Sequence, residues 1–191
     1  VPIHLTTTYA RQSLDEIKGG YDYIRSGNPT RQALEEKLAS LEGSDYAYAF
    51  SSGLAAESSL LLSLLHQGDH IIAFYDIYGG TQRLFNDILT QYGFEITYVD
   101  ATEPENVEQA IRENTRLVWI ESPSNPFLRL CDIRAIADIA HKRDVLLVVD
   151  NTFLSPYFQR PLELGADVVS YSATKYLGGH SDVLAGALTT N

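Results

Sequence analysis

The sequence predicts an α/β domain in which a mainly parallel sheet is covered by helices. Short apolar runs alternate with stretches of helical period over most of the chain, which is typical of such sheets. The run Val145–Val149 is continuously apolar, as in a strand buried on both faces. Polar residues follow two of the runs directly, at Asp150 and Ser172, where such folds place their reactive groups.

The chain begins with a segment of different character. Residues 1–28 have no clean hydrophobic period and are rich in turn signals, so we expect an extended arm. The pair Asn28–Pro29 predicts a cap and a first-turn proline. Leu34, Leu38 and Leu41 then follow at the spacing of an amphipathic helix.

The rest of the chain alternates between helices and strands. The predicted strands are Ile71–Phe74, Glu95–Val99, Leu117–Glu121, Val145–Asp150 and Asp167–Tyr171. The first predicted helix in this part begins after Gly53 and ends near Gly68. The other predicted helices lie at about 80–92, 104–113 and 132–143. The last residues, 183–191, predict a strand that is cut short.

Composition restricts the possible functions. A hydrophobic content of 45% is ample for a core, and the net charge of −11 argues against a nucleic-acid partner or an anionic membrane surface. The single cysteine, Cys131, cannot form an internal disulfide and fits a reducing cytoplasm. The sequence contains no membrane-length apolar stretch and no signal peptide, and its five histidines lack metal-ligand spacing.

Lys175 is the first candidate for chemistry. The other three lysines lie in polar stretches, whereas Lys175 follows a predicted strand and two hydroxyl residues, and precedes a Gly-Gly turn. A lysine amine that is desolvated in such a place can lose its proton and form a Schiff base with a carbonyl. A buried or snorkelling structural lysine would give the same pattern.

Asp150 supports the chemical interpretation of Lys175. A carboxylate at the end of a central strand is costly unless it has a partner. It could be a turn aspartate, which is common after strands, or it could form an ion pair with a protonated ring nitrogen. Pyridoxal phosphate chemistry needs both a Schiff-base lysine and a carboxylate that keeps the pyridine ring charged.

Further segments extend this pattern along the whole chain. They are Tyr23–Arg31, Phe50–Ala56, Tyr78–Arg83, Trp119–Pro126, Val149–Phe153, Ser155–Tyr157 and Ser172–Tyr176. In this order they resemble the Cys/Met-metabolism family of pyridoxal phosphate (PLP) enzymes, which carry out trans-sulfuration. The resemblance implies the fold-type I PLP-dependent transferase fold. It also implies an arm at 1–28 that contributes to a neighbouring subunit, a PLP-binding domain at 29–191, and a family C-terminal domain that is absent from this chain.

The resemblance assigns the cofactor-binding residues. It implies that the backbone of Gly53 and Leu54 and the hydroxyls of Ser172 and Thr174 hold the phosphate, which a helix N-terminus favours. From the residues alone, the serines before Gly53 could equally form an ordinary helix cap.

The same resemblance assigns the reactive end of the cofactor. Lys175 matches the Schiff-base lysine and Asp150 the partner of the ring nitrogen. Tyr78 matches a tyrosine that stacks on the ring and exchanges protons with the substrate, although a packing tyrosine is the alternative. Asn125 matches a residue near the cofactor's phenolic oxygen and the substrate carboxylate.

Three arm residues are expected to act on a neighbouring subunit's cofactor or on the substrate. Tyr23 and Arg25 match positions that reach the phosphate of a neighbouring subunit, which implies a dimer site in a homotetramer built as a dimer of dimers. Asp22 matches an acidic position used towards the distal part of the substrate, or is an exposed carboxylate. Gly80 stands where methionine γ-lyases typically carry cysteine, and so points away from that branch.

The function that the resemblance implies is γ-elimination on a sulfur amino acid. Cystathionine would give cysteine, 2-oxobutanoate and ammonia, with Lys175, Tyr78 and Asp150 as the catalytic residues. The alternatives are γ-replacement by a cystathionine γ-synthase, a β-lyase, or a cofactor-binding fragment without turnover. A nucleotide-binding domain or an α/β-hydrolase is disfavoured, because neither G-x-G-x-x-G nor G-x-S-x-G occurs.

Overall fold

The computed structural model describes all residues, 1–191, and contains one seven-stranded sheet. The strands are β1 (Tyr46–Phe50), β2 (His70–Phe74), β3 (Glu95–Val99), β4 (Thr115–Glu121), β5 (Leu146–Asp150), β6 (Val168–Tyr171) and β7 (Gly186–Thr190). The helices are α1 (Pro29–Glu42), α2 (Gly53–Leu64), α3 (Gly79–Arg83), α4 (Pro104–Ala110), α5 (Ile133–His141) and α6 (Ser155–Phe158). No helix has the length and apolar character needed to cross a membrane.

The sheet confirms the predicted fold class. Its strand order is β1-β7-β6-β5-β4-β2-β3, and the five strands from β6 to β3 pair in parallel. β7 pairs antiparallel with both β1 and β6. The predicted terminal strand therefore begins at Gly186 instead of residue 183, and it is hydrogen-bonded on both sides. β1, which the sequence analysis did not place, completes the sheet on this side.

The core lies around the central strands. All five residues of β2 are buried, and the side chains of Trp119 on β4 and Phe85 pack edge to face with 5.7 Å between ring centroids. His70 is buried between two hydroxyl groups, those of Thr115 and Thr97, at 2.8 Å from each. Burial lowers the pKa of His70, so the imidazole is neutral in the core.

α1 shows how local sequence sets a helix boundary. The Asn28 side chain accepts hydrogen bonds from the backbone N–H groups of Thr30 and Arg31, at 2.8 and 3.1 Å. The predicted stripe is only partly buried: Leu38 is 5% exposed, whereas Leu34 and Leu41 are 47% and 38% exposed. The outer part of the stripe has no partner in this chain.

The helical segment after α3 differs from the prediction of one helix at 80–92. α3 continues as a π-helical turn, Leu84–Ile88, and then as a 3₁₀ turn, Leu89–Tyr92. A left-handed glycine, Gly93, ends the segment. Helices α4 and α5 end at residues 110 and 141, a few residues before their predicted ends.

The arm lies along the outside of the domain. Its contacts with α1 include a hydrogen bond from the Asn28 amide to the carbonyl of His4 at 3.1 Å, and one from the His4 N–H to the Thr30 hydroxyl at 2.9 Å. Its apolar residues are largely exposed, with Leu5 at 92% and Leu14 at 89%. The arm therefore adds almost nothing to the hydrophobic core of its own chain.

Candidate active site

A cavity of about 220 Å³ opens at the carboxyl ends of the parallel strands, beside the N-terminus of α2. Every predicted site residue outside the arm lines it. The lining residues are Ser52, Gly53, Leu54, Glu57, Tyr78, Glu121, Asn125, Asp150, Thr152, Phe153, Ser172, Thr174, Lys175 and Leu184. Residues separated by more than a hundred positions in sequence thus meet at one sheet edge, as the parallel topology requires.

One end of the cavity is built to receive an anion. The Ser52 side chain caps α2 by accepting a hydrogen bond from the Ala55 N–H at 3.1 Å. The N–H groups of Gly53 and Leu54, in the first turn, have no partner within the helix. A Cβ atom on Gly53 would lie 3.1 Å from Cβ of Ser172, so the glycine lets the helix approach the end of β6 closely. Free N–H groups, the helix dipole and a hydroxyl together suit a phosphate.

Thr174 holds the loop that carries the lysine. Its hydroxyl donates to the carbonyl of Ala185 at 3.1 Å and accepts from the Ala185 N–H at 3.0 Å. The Lys175 N–H donates to the carbonyl of Ser172 at 3.0 Å. These bonds tie the loop after β6 to the residues that enter β7. Thr174 thus lines the cavity, but both of its hydroxyl contacts are made within the loop.

Lys175 is exposed at the mouth of the cavity. This corrects the sequence argument, which assumed that the amine is desolvated at the strand end. Position and exposure still give the amine access to a carbonyl group inside the cavity.

Asp150 is the last residue of β5 and is 6% exposed. One of its carboxyl oxygens accepts a hydrogen bond from the Thr152 N–H at 2.9 Å, and the Thr152 hydroxyl accepts one from the Ser172 N–H at 2.8 Å. Burial raises the pKa of Asp150, and the hydrogen bonds from Thr152 offset part of the rise. A cation placed beside this carboxyl group would favour its ionised form.

Two further carboxyl groups, which the sequence analysis did not single out, line the cavity. Glu121 ends β4 and accepts a hydrogen bond from the Tyr78 N–H at 2.6 Å. Glu57 lies in the second turn of α2. Burial, with the charge of Asp150 added, raises the pKa of each to about 8. Glu121 lies inside one of the segments that carry the family resemblance, Trp119–Pro126. The sequence around Glu57 shows only an isolated charged residue in a leucine-rich helix.

The three carboxyl groups define the electrostatics of the cavity. Because the pKa values of Glu57 and Glu121 are raised to about 8, the three groups Asp150, Glu121 and Glu57 are not all ionised near pH 7. The inner wall therefore favours a cationic group, and the helix N-terminus favours an anionic one. This order of charges fits a flat ligand with a phosphate at one end and a protonated nitrogen at the other.

Tyr78 and Asn125 complete the lining. Tyr78 stands directly before α3 and is 44% exposed. Its ring lies against Gly80, where a Cβ atom would come 2.9 Å from Cζ of the ring. A residue with a side chain at position 80 would displace the ring, so this glycine sets the position of Tyr78. Asn125 is half-buried at the cavity wall.

The arm residues do not reach this cavity. The Arg25 guanidinium lies over the ring of Tyr23, 5.0 Å from its centroid. Asp22 forms a salt bridge with Arg11 at 2.9 Å. Their assignment to a neighbouring subunit and to substrate stays a prediction, since one chain places them outside its own cavity.

Comparison with known proteins identifies relatives over the whole chain. The model of the family described as "Cys/Met metabolism PLP-dependent enzyme" matches residues 1–191. Cystathionine beta-lyase MetC of Staphylococcus haemolyticus is 52% identical over 193 residues, and cystathionine gamma-synthase of Mycobacterium leprae is 49% identical over 191 residues. These matches cover 100% of this chain and 48% and 49% of the relatives, so the chain spans about half of their length.

A solved structure shares the fold. Cystathionine gamma-lyase from Lactobacillus plantarum, complexed with L-serine, superposes with a TM-score of 0.95 at 45% identity. The match covers 100% of this chain and 49% of that chain. The relatives therefore carry the names of three different reactions, and their identities to this chain are close to one another.

Proposed function

The chain belongs to the Cys/Met-metabolism family of PLP-dependent enzymes, and from that premise we propose that it is the cofactor-binding part of a carbon–sulfur lyase that acts on cystathionine by γ-elimination. The reaction takes up water and gives cysteine, 2-oxobutanoate and ammonia. The observation that carries the proposal is the single cavity in which Lys175, Asp150 and the N-terminus of α2 meet. Because the chain spans about half of its relatives, the activity is proposed for the whole protein.

The cavity residues fit the cofactor of the family. The N–H groups of Gly53 and Leu54, with the Ser172 hydroxyl, would hold its phosphate at the anion-binding end. Asp150 would hold the proton on its ring nitrogen, and Tyr78 would lie against its ring. When bound, the cofactor supplies an electron sink for the substrate's Cα and Cβ positions.

The chain's own groups then have separate tasks. The Lys175 amine would anchor the cofactor covalently and, when free, would move protons at the substrate's Cα and Cβ. Its exposure at the cavity mouth leaves it free to change between these tasks. Tyr78 lines the same cavity and would protonate the departing sulfur. Asn125 would orient the substrate carboxylate at the cavity wall.

We assign the arm to the neighbouring subunit of a dimer, within a tetramer built as a dimer of dimers. Arg25 offers a fork of donors that suits phosphate, and Tyr23 lies under it. The largely exposed apolar residues of the arm and the exposed Leu34 and Leu41 of α1 support a surface that is covered by another chain. Asp22, proposed to face the distal part of the substrate, would have to leave Arg11. The single free cysteine is the support for a cytoplasmic enzyme.

The first experiment tests the anchor. The purified protein is treated with borohydride, digested and searched for a pyridoxyl-modified lysine. We expect the label on Lys175, and we expect Lys175→Ala to lose it while Lys142→Ala, at an exposed lysine outside the cavity, retains it. Label on a different lysine would refute the assignment.

The second experiment separates the three reactions. The full-length protein is incubated with cystathionine and the keto acid is identified. γ-Elimination releases 2-oxobutanoate, whereas β-elimination releases pyruvate. Formation of cystathionine from an activated homoserine and cysteine, without keto acid from cystathionine, would instead identify a synthase.

A further inference from the structure

Glu57 and Glu121 are buried carboxyl groups of the cavity that the proposed mechanism does not use, and of the two only Glu57 has a buried oxygen without a hydrogen-bond partner. Glu57 is 3% exposed, lines the cavity together with Asp150 and Glu121, and its Oε2 atom has no hydrogen-bond partner. A buried carboxylate without a partner is costly, so the group either keeps its proton or faces a cation. Its place on α2 puts it behind the helix turn that is expected to bind phosphate.

Within this chain alone, no positively charged group neutralises the Glu57 carboxylate. The charge of Asp150 reinforces burial in raising the pKa of Glu57 to about 8, and the Thr81 hydroxyl offsets only part of this. The titratable or charged groups on the elements around it are Asp150, Glu121, Tyr78, Lys175, Arg83 and Tyr171. β1 adds only the exposed Tyr46 and Tyr48, and β7 adds none.

We propose that Glu57 is a positioning residue that acts through Asp150. Neutral in the cofactor-free protein, it releases its proton to solvent when a cationic ring nitrogen binds beside Asp150. The inference rests on the proposed role of Asp150. The physical reason is linkage: a positive charge that binds near an acid stabilises the ionised acid, so the ligand binds more tightly as pH rises. Glu57 thereby makes the affinity for the cofactor depend on pH.

The test compares the dissociation constant of pyridoxal phosphate for the cofactor-free wild-type protein and for Glu57→Gln between pH 7 and 9. Glutamine has nearly the same shape and no proton to release. Groups that titrate independently of Glu57 cancel in the ratio of the two constants, and measuring both proteins also in a Glu121→Gln background removes the cavity carboxyl whose pKa responds to Glu57. We expect the variant to bind progressively more weakly than the wild type as pH rises towards about 8, the pKa of Glu57 in the cofactor-free protein, and the ratio to level off above it. The ratio should change by up to about tenfold for each pH unit by which the cofactor lowers the pKa of Glu57.

Proton release provides a direct readout. Calorimetric titration of the cofactor into the protein at pH 7.5, in two buffers of different ionisation enthalpy, counts the protons released. We expect a larger release from the wild type than from Glu57→Gln. A ratio of dissociation constants that stays constant with pH, with equal proton release, would overturn the inference. If Glu57→Gln does not fold, Glu57→Leu tests the same loss of charge.

Two controls separate this inference from the proposed function. A cofactor analogue with carbon in place of the ring nitrogen carries no ring cation, so the pH-dependent difference between wild type and Glu57→Gln should vanish. Asp150→Asn should bind pyridoxal phosphate more weakly than the wild type. If Asp150→Asn binds equally well, the proposed ring-nitrogen site is wrong. If only the Glu57 ratio is flat, Asp150 retains its role and Glu57 has none.

Discussion

Replacing Gly186 by alanine tests whether β7 positions the N-terminal turn of α2. Gly186 begins β7, and a Cβ atom there would lie 2.7 Å from the backbone nitrogen of Gly53 and closer still to the carbonyl group of Ser52. These are backbone atoms, so no side-chain rotation relieves the overlap, and the strand and the helix turn must separate. Overpacking of this kind costs about 1–3 kcal/mol or more, and the lower chain entropy of alanine in the unfolded state offsets about 0.4–1 kcal/mol.

Because the overlap is with backbone atoms, the cost lies at or above the upper end of that range, and we expect Gly186→Ala to lose about 2 kcal/mol or more of folding free energy. At roughly 2–4 °C per kcal/mol for a chain of this size, Tm falls by at least about 4–8 °C. The displaced N–H groups should also bind the cofactor phosphate more weakly. Thermal unfolding of the cofactor-free protein by circular dichroism, and cofactor titration, measure the two effects.

The matched control is Gly79→Ala, because a Cβ atom there would meet only the flexible end of Arg83, 3.5 Å away. Its Tm should stay within about 2 °C of the wild type. Equal Tm values for Gly186→Ala and Gly79→Ala, with unchanged cofactor affinity for Gly186→Ala, would refute the reasoning.

Three further predictions concern the cavity and its support. Between pH 7 and 8.5 the folded, cofactor-free protein holds protons on Glu57 and Glu121 that the unfolded chain has lost. Its stability in urea should therefore fall with rising pH, by up to about 1–2 kcal/mol per unit, and the double glutamine variant should show a flatter dependence. An unchanged slope in the double variant would contradict this cause. Gly80→Cys should displace the Tyr78 ring and weaken cofactor binding severalfold, and in a Tyr78→Ala background the same change should have little further effect. Tyr171→Phe should cost about 1–3 kcal/mol in urea unfolding, because a buried carboxyl at the end of α1 loses its hydroxyl donor. A wild-type midpoint would show that this hydrogen bond adds nothing.

The parts of the fold that follow from the sequence are those with a single physical cause. Continuous apolar runs mark strands buried on both faces, and the predicted β2, β4, β5 and β6 agree with the structure within two residues. β1 was missed because its sequence, Tyr-Ala-Tyr-Ala-Phe, carries no such run: its tyrosines are exposed and only Ala47 is buried. Its place in the sheet depends on β7, which is far away in sequence.

The candidate site also has a part that was predictable from the sequence and a part that was not. Asp150, Lys175 and the turn at Gly53 were predictable because each directly follows or begins an element, so one sheet edge collects them. The place of Glu57 in the cavity was not predictable, since the burial of its side chain there depends on how α2 is tilted on the sheet. The exposure of Lys175 also escaped prediction, because solvation depends on what covers the cavity mouth and not on local sequence.

The position of β7 between β1 and β6 has a consequence for how the protein is made. β1 leads directly into the helix turn beside the cavity, yet its only pairing partner in the sheet is β7. During synthesis on the ribosome, β1 emerges early and stays an unpaired edge until residues 186–190 have been added. Until then the N-terminal turn of α2 lacks its contact with β7. We expect nascent chains that stop before Gly186 to resist compact folding and to depend on chaperones, although they already contain nearly every residue of the site.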